Sequence, residues 1–331
     1  MKAVVFDRFG APEEVLAVKE VPMPEPKAGE VRVKMIAAPI NPSDLLVVRG
    51  RYGVLPNLPA TPGFEGVGIV DKAGPGILGK LVVGKRVTVI NGAGGNWAEY
   101  AVIPARQARP VPKDLPDEQI ASFFVNPATV LAMIRHVLKV PKGEWLLQTA
   151  ANSALGRMVI KLAKHDGIKT INVVRRREAA LELQAIGGDV VLCSEDGPIH
   201  EQVRAKTNGA GVRFAIDPVG GETGTRVFQS LANDGKLLLY GSLSNEPIAV
   251  DPRLMIAGKR VVEGFWLGYW MRGRSIPASL MLFNEIGKLM REGILATEPG
   301  ERFPLESIVA AVKAAETPGR KGKAMLLIGS T

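Results

Sequence analysis

Along the first third of the chain, short alternations of polar and apolar residues are separated by turn-forming clusters. Glu30-Val31-Arg32-Val33-Lys34-Met35 alternates with the period of a half-buried strand. Lys85–Ile90 and Ala98–Val102 read the same way, with Pro24-Glu25-Pro26 and Asn91-Gly92-Ala93-Gly94-Gly95 as turns between strands. Many short strands at this spacing predict a compact β barrel or sandwich.

The texture changes near Pro116-Asp117-Glu118. Beyond it, apolar runs alternate with helical patterns. Trp145–Thr149, Thr170–Val174, Asp189–Leu192, Arg213–Asp217 and Lys236–Tyr240 read as strands. Leu155, Val159, Leu162 and Ala163 lie at i, i+4, i+7 and i+8 and predict an amphipathic helix after the first of them. A second helical stretch covers 178–186. Apolar strands alternating with helices imply a parallel sheet covered on both faces, with right-handed crossovers. After Phe265 a helix carries Leu280, Phe283, Ile286, Leu289 and Met290, and the chain ends on a strand, Ala324–Ile328. That strand has no sequential partner and is expected to return to the first domain. The prediction is an α/β chain with a β-rich domain over residues 1–115, completed by about 295–331. A Rossmann doubly wound parallel-sheet domain is expected over 116–294.

Composition narrows the chemistry. The 331 residues are 46% hydrophobic and 23% charged, as in a globular protein. Lys and Arg number 42 against 33 Asp and Glu, a formal charge of +9. Such a balance permits nucleic acid or anionic ligands and demands neither. The single cysteine, Cys193, excludes an internal disulfide framework and a zinc site built on several thiolates. His136, His165 and His200 are scattered. No apolar run approaches the ~20 residues that span a bilayer, and the apolar stretch of Met1–Phe6 is too short for a signal peptide. These features predict a reducing, cytoplasmic setting without membrane contact.

The segment Thr149-Ala150-Ala151-Asn152-Ser153-Ala154-Leu155-Gly156 sits where a strand turns into a helix. Helix N-terminal N–H groups attract a pyrophosphate there, and small residues let the backbone approach. Of the G-x-G-x-x-G pattern only Gly156 remains, so a tight strand–helix turn that needs small residues for packing is an equal reading. The next strand ends at Val174, at Rossmann spacing. An NAD site places Asp or Glu there; this chain places Arg175-Arg176-Arg177, whose guanidinium forks suit a 2′-phosphate. The plainer reading is a solvated basic helix start, although Arg there opposes the helix dipole. Position and charge favour NADPH.

The chain resembles the medium-chain dehydrogenase/reductase superfamily, in its zinc-free quinone reductase-like branch. Within that branch it is most similar to the mitochondrial-type NADPH-dependent 2-enoyl thioester reductases. The segments are Asn41-Pro42-Ser43-Asp44, Arg49-Gly50-Arg51-Tyr52-Gly53, Pro62-Gly63-Phe64-Glu65-Gly66 and Asn126-Pro127-Ala128-Thr129. Ala150-Ala151-Asn152-Ser153, Ile171-Asn172-Val173-Val174-Arg175 and Gly264-Phe265-Trp266-Leu267 point to the enoyl reductase side. The resemblance covers essentially the whole length and implies a GroES-like catalytic domain beside the Rossmann domain. Zinc-dependent relatives carry Cys and His where this chain has Asn41 and Phe64, neither a zinc ligand as thiolate or imidazole. No metal is expected, and alcohol dehydrogenation lacks its Lewis acid.

What remains is hydride delivery from NADPH to the β-carbon of an enone or enoyl thioester. The resemblance assigns Tyr52 as proton donor or enolate stabiliser. A phenol with pKa near ~10 stays protonated at neutral pH and can donate; by residue type alone Tyr52 is a packing aromatic. The resemblance further assigns Asn126 and Thr129 to the nicotinamide, and Asn152, Ser153, Ala154, Leu155 and Gly156 to the pyrophosphate. Arg175, Arg176 and Arg177 go to the adenosine phosphate. Tyr240 and Gly241 lie at the crevice, Phe265, Trp266 and Leu267 flank the nicotinamide, and Lys323 closes the cofactor cleft. Core packing is the plainer reading for the aromatics and an exposed charge for Lys323. Asn41, Asp44 and Glu65 are read as holding loops by hydrogen bonds, with Asn41 and Trp270 at the substrate pocket. The expected function is reduction of 2-enoyl-CoA or 2-enoyl-ACP; the alternatives are an NADPH:quinone or general enone reductase, or a non-catalytic NADPH- or nucleic-acid-binding protein. Dispersed basic residues argue against nucleic acid. The partners expected are a small-molecule substrate and, by resemblance, a second copy in a homodimer.

Overall fold

The structure is a computed structural model and describes residues 1–329. Two compact units divide the chain: Met1–Val125 with Phe283–Arg291 and the segment from Ala296, and Asn126–Leu282 with Glu292–Leu295. The first unit therefore keeps the segment 116–125 that the change of texture assigns to the second domain. Asp117 is tied to Arg86 and Glu118 to Arg302, while Phe123 packs on Phe283.

In the first unit, a seven-stranded sheet runs in the order Pro299–Pro304, Lys323–Leu327, Glu30–Pro39, Glu65–Ala73, Arg86–Ile90, Arg109–Pro110, with Tyr100–Pro104 also paired to Glu30–Pro39. The alternation read at Glu30–Met35 is that of a strand with one buried face: Val31, Val33 and Met35 point into a core with Val70, Val87 and Ile103. The last strand lies antiparallel to Glu30–Pro39, with Met325 opposite Pro39 and Leu327 opposite Ala37. A second core gathers Phe6, Leu45, Trp97, Ile308, Val312 and Leu326, joining helices Pro42–Val48 and Ile308–Glu316 to that strand.

The second unit holds a six-stranded, all-parallel sheet. Its order is Val190–Cys193, Lys169–Val174, Trp145–Gln148, Val212–Asp217, Leu231–Leu239, Val261–Gly264. In chain order this is 3-2-1-4-5-6, the doubly wound arrangement. The order reverses between Trp145–Gln148 and Val212–Asp217, and ligands bind at the carboxyl ends of strands at such a switch point. Two details depart from the sequence pattern. The strand expected at Lys236–Tyr240 begins earlier, at Leu231. In helix Ile276–Arg291 the buried residues include Leu282, Ile286, Leu289 and Met290, whereas Leu280 stays 39% exposed.

Candidate active site

Tyr52 is placed by the way its preceding helix ends. Asn41 opens helix Pro42–Val48, with Pro42 in the first turn, where a missing N–H costs nothing. At the other end Gly50 adopts φ +69°, the Gly50 N–H donates to Val47 O and the Arg51 N–H to Leu46 O. This Schellman arrangement needs glycine at its left-handed position. A Cβ on Gly50 would also come within 3.1 Å of Phe9. The chain then delivers Tyr52, half-buried, with its ring centroid 5.2 Å from that of Phe64. Phe64 and Asp44 line a cavity of about 230 Å³, with Val54, Leu55, Pro62 and Ala93 among its other walls.

Next to Phe64 lies a buried polar cluster. Asp44 accepts from the Asn41 N–H at 2.8 Å and the Phe64 N–H at 3.0 Å. Glu65 accepts from Asn41 Nδ2 at 3.1 Å, from the Phe124 N–H at 3.1 Å and from the Val125 N–H at 2.8 Å. Lys323 Nζ lies 3.6 Å from Glu65 Oε1. Desolvation pushes the Asp44 carboxyl up to about 7, against the pull of its two backbone donors. Burial likewise lowers the Lys323 ammonium, opposed by Glu65 and Asp44. Asn41 thus sits in a hydrogen-bonded cluster, and Lys323, the residue assigned to closing a cofactor cleft, is only 2% exposed.

In the second unit, strand Trp145–Gln148 passes through Ala150 at φ +49° into helix Ala154–Asp166. Ser153 caps the helix by accepting from the Gly156 N–H at 3.1 Å. Among the described residues the N–H groups of Ala154 and Leu155 have no partner, so the first turn offers two unclaimed donors. Gly156 is sterically required: a Cβ there would sit 2.5 Å from Ala151 O. Gln148 Nε2 bonds Gly156 O at 3.0 Å and Asn172 Oδ1 at 2.8 Å, bracing the turn from inside the sheet. Asn152 is exposed and accepts from Arg157.

The three arginines separate into two kinds. Arg177 is ion-paired to Asp196 at 2.6 Å, which raises its proton affinity further. Arg175 and Arg176 are exposed and, among the described residues, make no ion pair. Asn126 and Thr129 lie on helix Val125–Leu131, which continues as a π-helix over Ala132–Val137. Tyr240 follows strand Leu231–Leu239 and donates its N–H to Asp217 O, while its buried hydroxyl has no hydrogen-bond partner and is pushed upward by desolvation. Gly241 presses on Pro218, where a Cβ would meet the carbonyl at 2.8 Å. The Phe265 N–H bonds Leu239 O, and Trp266 stacks edge-on against Tyr269 just before and within helix Leu267–Arg272. Trp270 lies between the Arg274 guanidinium, 4.1 Å from its ring centroid, and His136.

Three features escaped the sequence reading. Asp217 is buried at the end of its strand, accepting from Thr149 Oγ1 and from the N–H groups of Val219 and Gly220. Its signal was a carboxylate ending an apolar run. The Gln148–Asn172 pair and the Glu65–Lys323 pair carry no such mark, since each joins residues far apart in the chain. Among the described residues no group of three His, Cys, Asp or Glu side chains could hold a metal. No helix among them is long and apolar enough to cross a membrane.

Comparison with known proteins gives a consistent picture. Residues 27–113 match the family described as alcohol dehydrogenase GroES-like domain, and residues 154–284 the family described as zinc-binding dehydrogenase. The mitochondrial enoyl-[acyl-carrier-protein] reductase of Rattus norvegicus is 33% identical over 322 residues, 96% of this chain and 86% of that one. Its counterpart in Arabidopsis thaliana is 33% identical over 98% of this chain and 88% of its own. Among solved structures, the quinone oxidoreductase of Escherichia coli complexed with NADPH superposes with a TM-score of 0.91 at 26% identity, over 99% of this chain and 100% of that one.

Proposed function

This chain belongs to the medium-chain dehydrogenase/reductase superfamily, and from that premise we propose that it is an NADPH-dependent reductase of the C=C bond of 2-enoyl thioesters. Relatives and structural neighbours alike are oxidoreductases. One matched family is described by zinc, but the donor set here does not fit that metal: the Asn41 amide donates to Glu65, and Phe64 is a hydrocarbon ring. The cofactor fits better. The unclaimed N–H groups of Ala154 and Leu155 suit a pyrophosphate, and the unpaired Arg175 and Arg176 suit a 2′-phosphate. Bound there, NADPH supplies a hydride.

Reduction at the β-carbon puts charge on the thioester oxygen and requires a proton at the α-carbon. The observation that supports this reading is Tyr52, a phenol that follows a helix cap and packs on Phe64, itself part of the cavity wall. Its role is to donate to the developing oxyanion or to supply the proton. Tyr52→Phe is expected to lower kcat on crotonyl-CoA by about 10²-fold or more, with a smaller change in KM. Unchanged turnover would refute the role. The Arg175→Ala/Arg176→Ala pair is expected to raise the dissociation constant for NADPH by tenfold or more and that for NADH little. Equal losses for both cofactors would exclude a 2′-phosphate contact.

A second reading, an NADPH:quinone or enone reductase, is favoured by the likeness to the E. coli enzyme. Parallel oxidation of NADPH with crotonyl-CoA and 1,4-naphthoquinone separates the two by their kcat/KM values.

A further inference from the structure

Beyond the last strand of the parallel sheet, helix Leu267–Arg272 and its flanks carry two stacks of side chains. In one, Trp266 meets Tyr269 edge-on with ring centroids 4.5 Å apart, and the Arg272 guanidinium lies 4.8 Å from the Tyr269 centroid. In the other, the Arg274 guanidinium lies 4.1 Å from the Trp270 centroid. Stacking uses the face of a guanidinium and leaves its in-plane N–H groups to find acceptors. Among the described residues neither side chain has an acceptor or an ion pair, and Arg274 Nε is a buried donor without a partner.

The local sequence supplies no countercharge: Arg272 and Arg274 are the only charged residues between Glu263 and Glu285. Helix Ile276–Arg291 starts just after Arg274, with the Ala278 N–H donating to Ser275 Oγ at 3.4 Å. The positive end of its dipole therefore falls beside the arginines, a like-signed arrangement that an anion relieves. Tyr269 is 61% exposed and Arg272 is exposed, so the first stack is open to a ligand.

We propose that Arg272 and Arg274 bind the phosphoryl group at the far end of the pantetheine arm of an enoyl thioester. The inference rests on the reading of the chain as an enoyl thioester reductase with Trp266 beside the nicotinamide. A thioester reacting there has its carrier phosphate at the other end of the arm, and helix Leu267–Arg272 carries the chain about 9 Å from Trp266 to Arg272. A guanidinium fork at that remove can meet a phosphate bidentately. CoA and acyl carrier protein both present such a group, the one as a nucleotide diphosphate, the other as a phosphodiester on the protein.

The test compares wild type with Arg272→Gln/Arg274→Gln on three thioesters of one acyl group: crotonyl-CoA, crotonyl-acyl carrier protein and crotonyl-N-acetylcysteamine, which has no phosphate. KM and kcat are measured for each, and the NADPH dissociation constant by fluorescence. Gln keeps a stem over each ring and removes the charge. The variant is expected to raise KM for a phosphate-bearing thioester by about tenfold or more, with kcat little changed. Turnover of crotonyl-N-acetylcysteamine and affinity for NADPH are expected to stay as in wild type. Arg272→Lys/Arg274→Lys is expected to recover part of the loss, because the charge returns without the fork. A rise confined to crotonyl-CoA assigns the site to the nucleotide, a rise confined to the carrier protein assigns it to the phosphodiester, and a rise in both assigns it to the phosphate they share. Unchanged KM for both overturns the proposal, as does an equal loss on crotonyl-N-acetylcysteamine or a parallel loss of NADPH affinity. A wild type that reduces none of the three sinks the enoyl reductase reading. Calorimetric titration with CoA itself then decides the phosphate site: weaker binding to the variant upholds it, and equal or absent binding overturns it.

Discussion

Asp44 illustrates what a single residue can contribute at this site. Its carboxyl is buried, accepts two backbone N–H groups and is pushed up to about 7 by desolvation. In the unfolded chain the same group titrates near 3.8. Between those values the folded protein keeps a proton that the unfolded chain has released. Stability from this group is therefore full below pH 4, falls as pH rises through the window and levels off above pH 7. The whole change is at most about 4 kcal/mol, from 1.36 kcal/mol per unit. Thermal midpoints of wild type and Asp44→Asn, measured from pH 4 to 8, are expected to converge toward pH 8 as the wild type loses its advantage; parallel profiles would exclude Asp44 as the cause. At this scale the sequence is legible where residue type alone decides. Asn41 and Phe64 cannot be thiolate or imidazole, whatever surrounds them. Lys323 was not legible, because the run Arg320-Lys321-Gly322-Lys323 reads as a solvated basic turn. It is buried where its strand is held between Pro299–Pro304, with Pro299 opposite Lys323, and Glu30–Pro39.

Among the elements, the turn from strand Trp145–Gln148 into helix Ala154–Asp166 is tightly constrained. Ser153 caps it, Gln148 braces it and Gly156 lets it close. Gly156→Ala places a methyl group 2.5 Å from Ala151 O, a backbone atom that cannot swing aside. Overpacking of this kind costs about 1–3 kcal/mol. The variant is expected to melt lower and to bind NADPH about tenfold more weakly, by fluorescence titration. Full affinity would mean that the turn does not hold the pyrophosphate. The strands and this helix were readable because each buries a continuous stripe whose period is local. The ends were less so: Leu231 begins its strand five residues before the apolar run at Lys236. Leu280 satisfies the helical spacing in sequence but stays exposed, since spacing gives a face and not what covers it.

For the molecule as a whole, the excess of positive charge gains a local meaning. Arg175 and Arg176 keep unpaired guanidinium groups at the end of one parallel strand, while Arg177 is neutralised by Asp196. The sequence by itself determined the α/β class, the alternation that makes a parallel sheet, the place of the strand–helix turn and the residue types that exclude a thiolate or imidazole metal site. Those follow from periodicity and side-chain chemistry, which are local. Tertiary structure alone decided the strand order, the bracing of Gly156 by Gln148 and Asn172, and the meeting of Asn41, Asp44, Glu65 and Lys323. Glu65 and Lys323 are 258 positions apart (323 − 65), and no local pattern encodes their contact. The contact exists because the last strand pairs with Glu30–Pro39, and burial then obliges each charge to find the other.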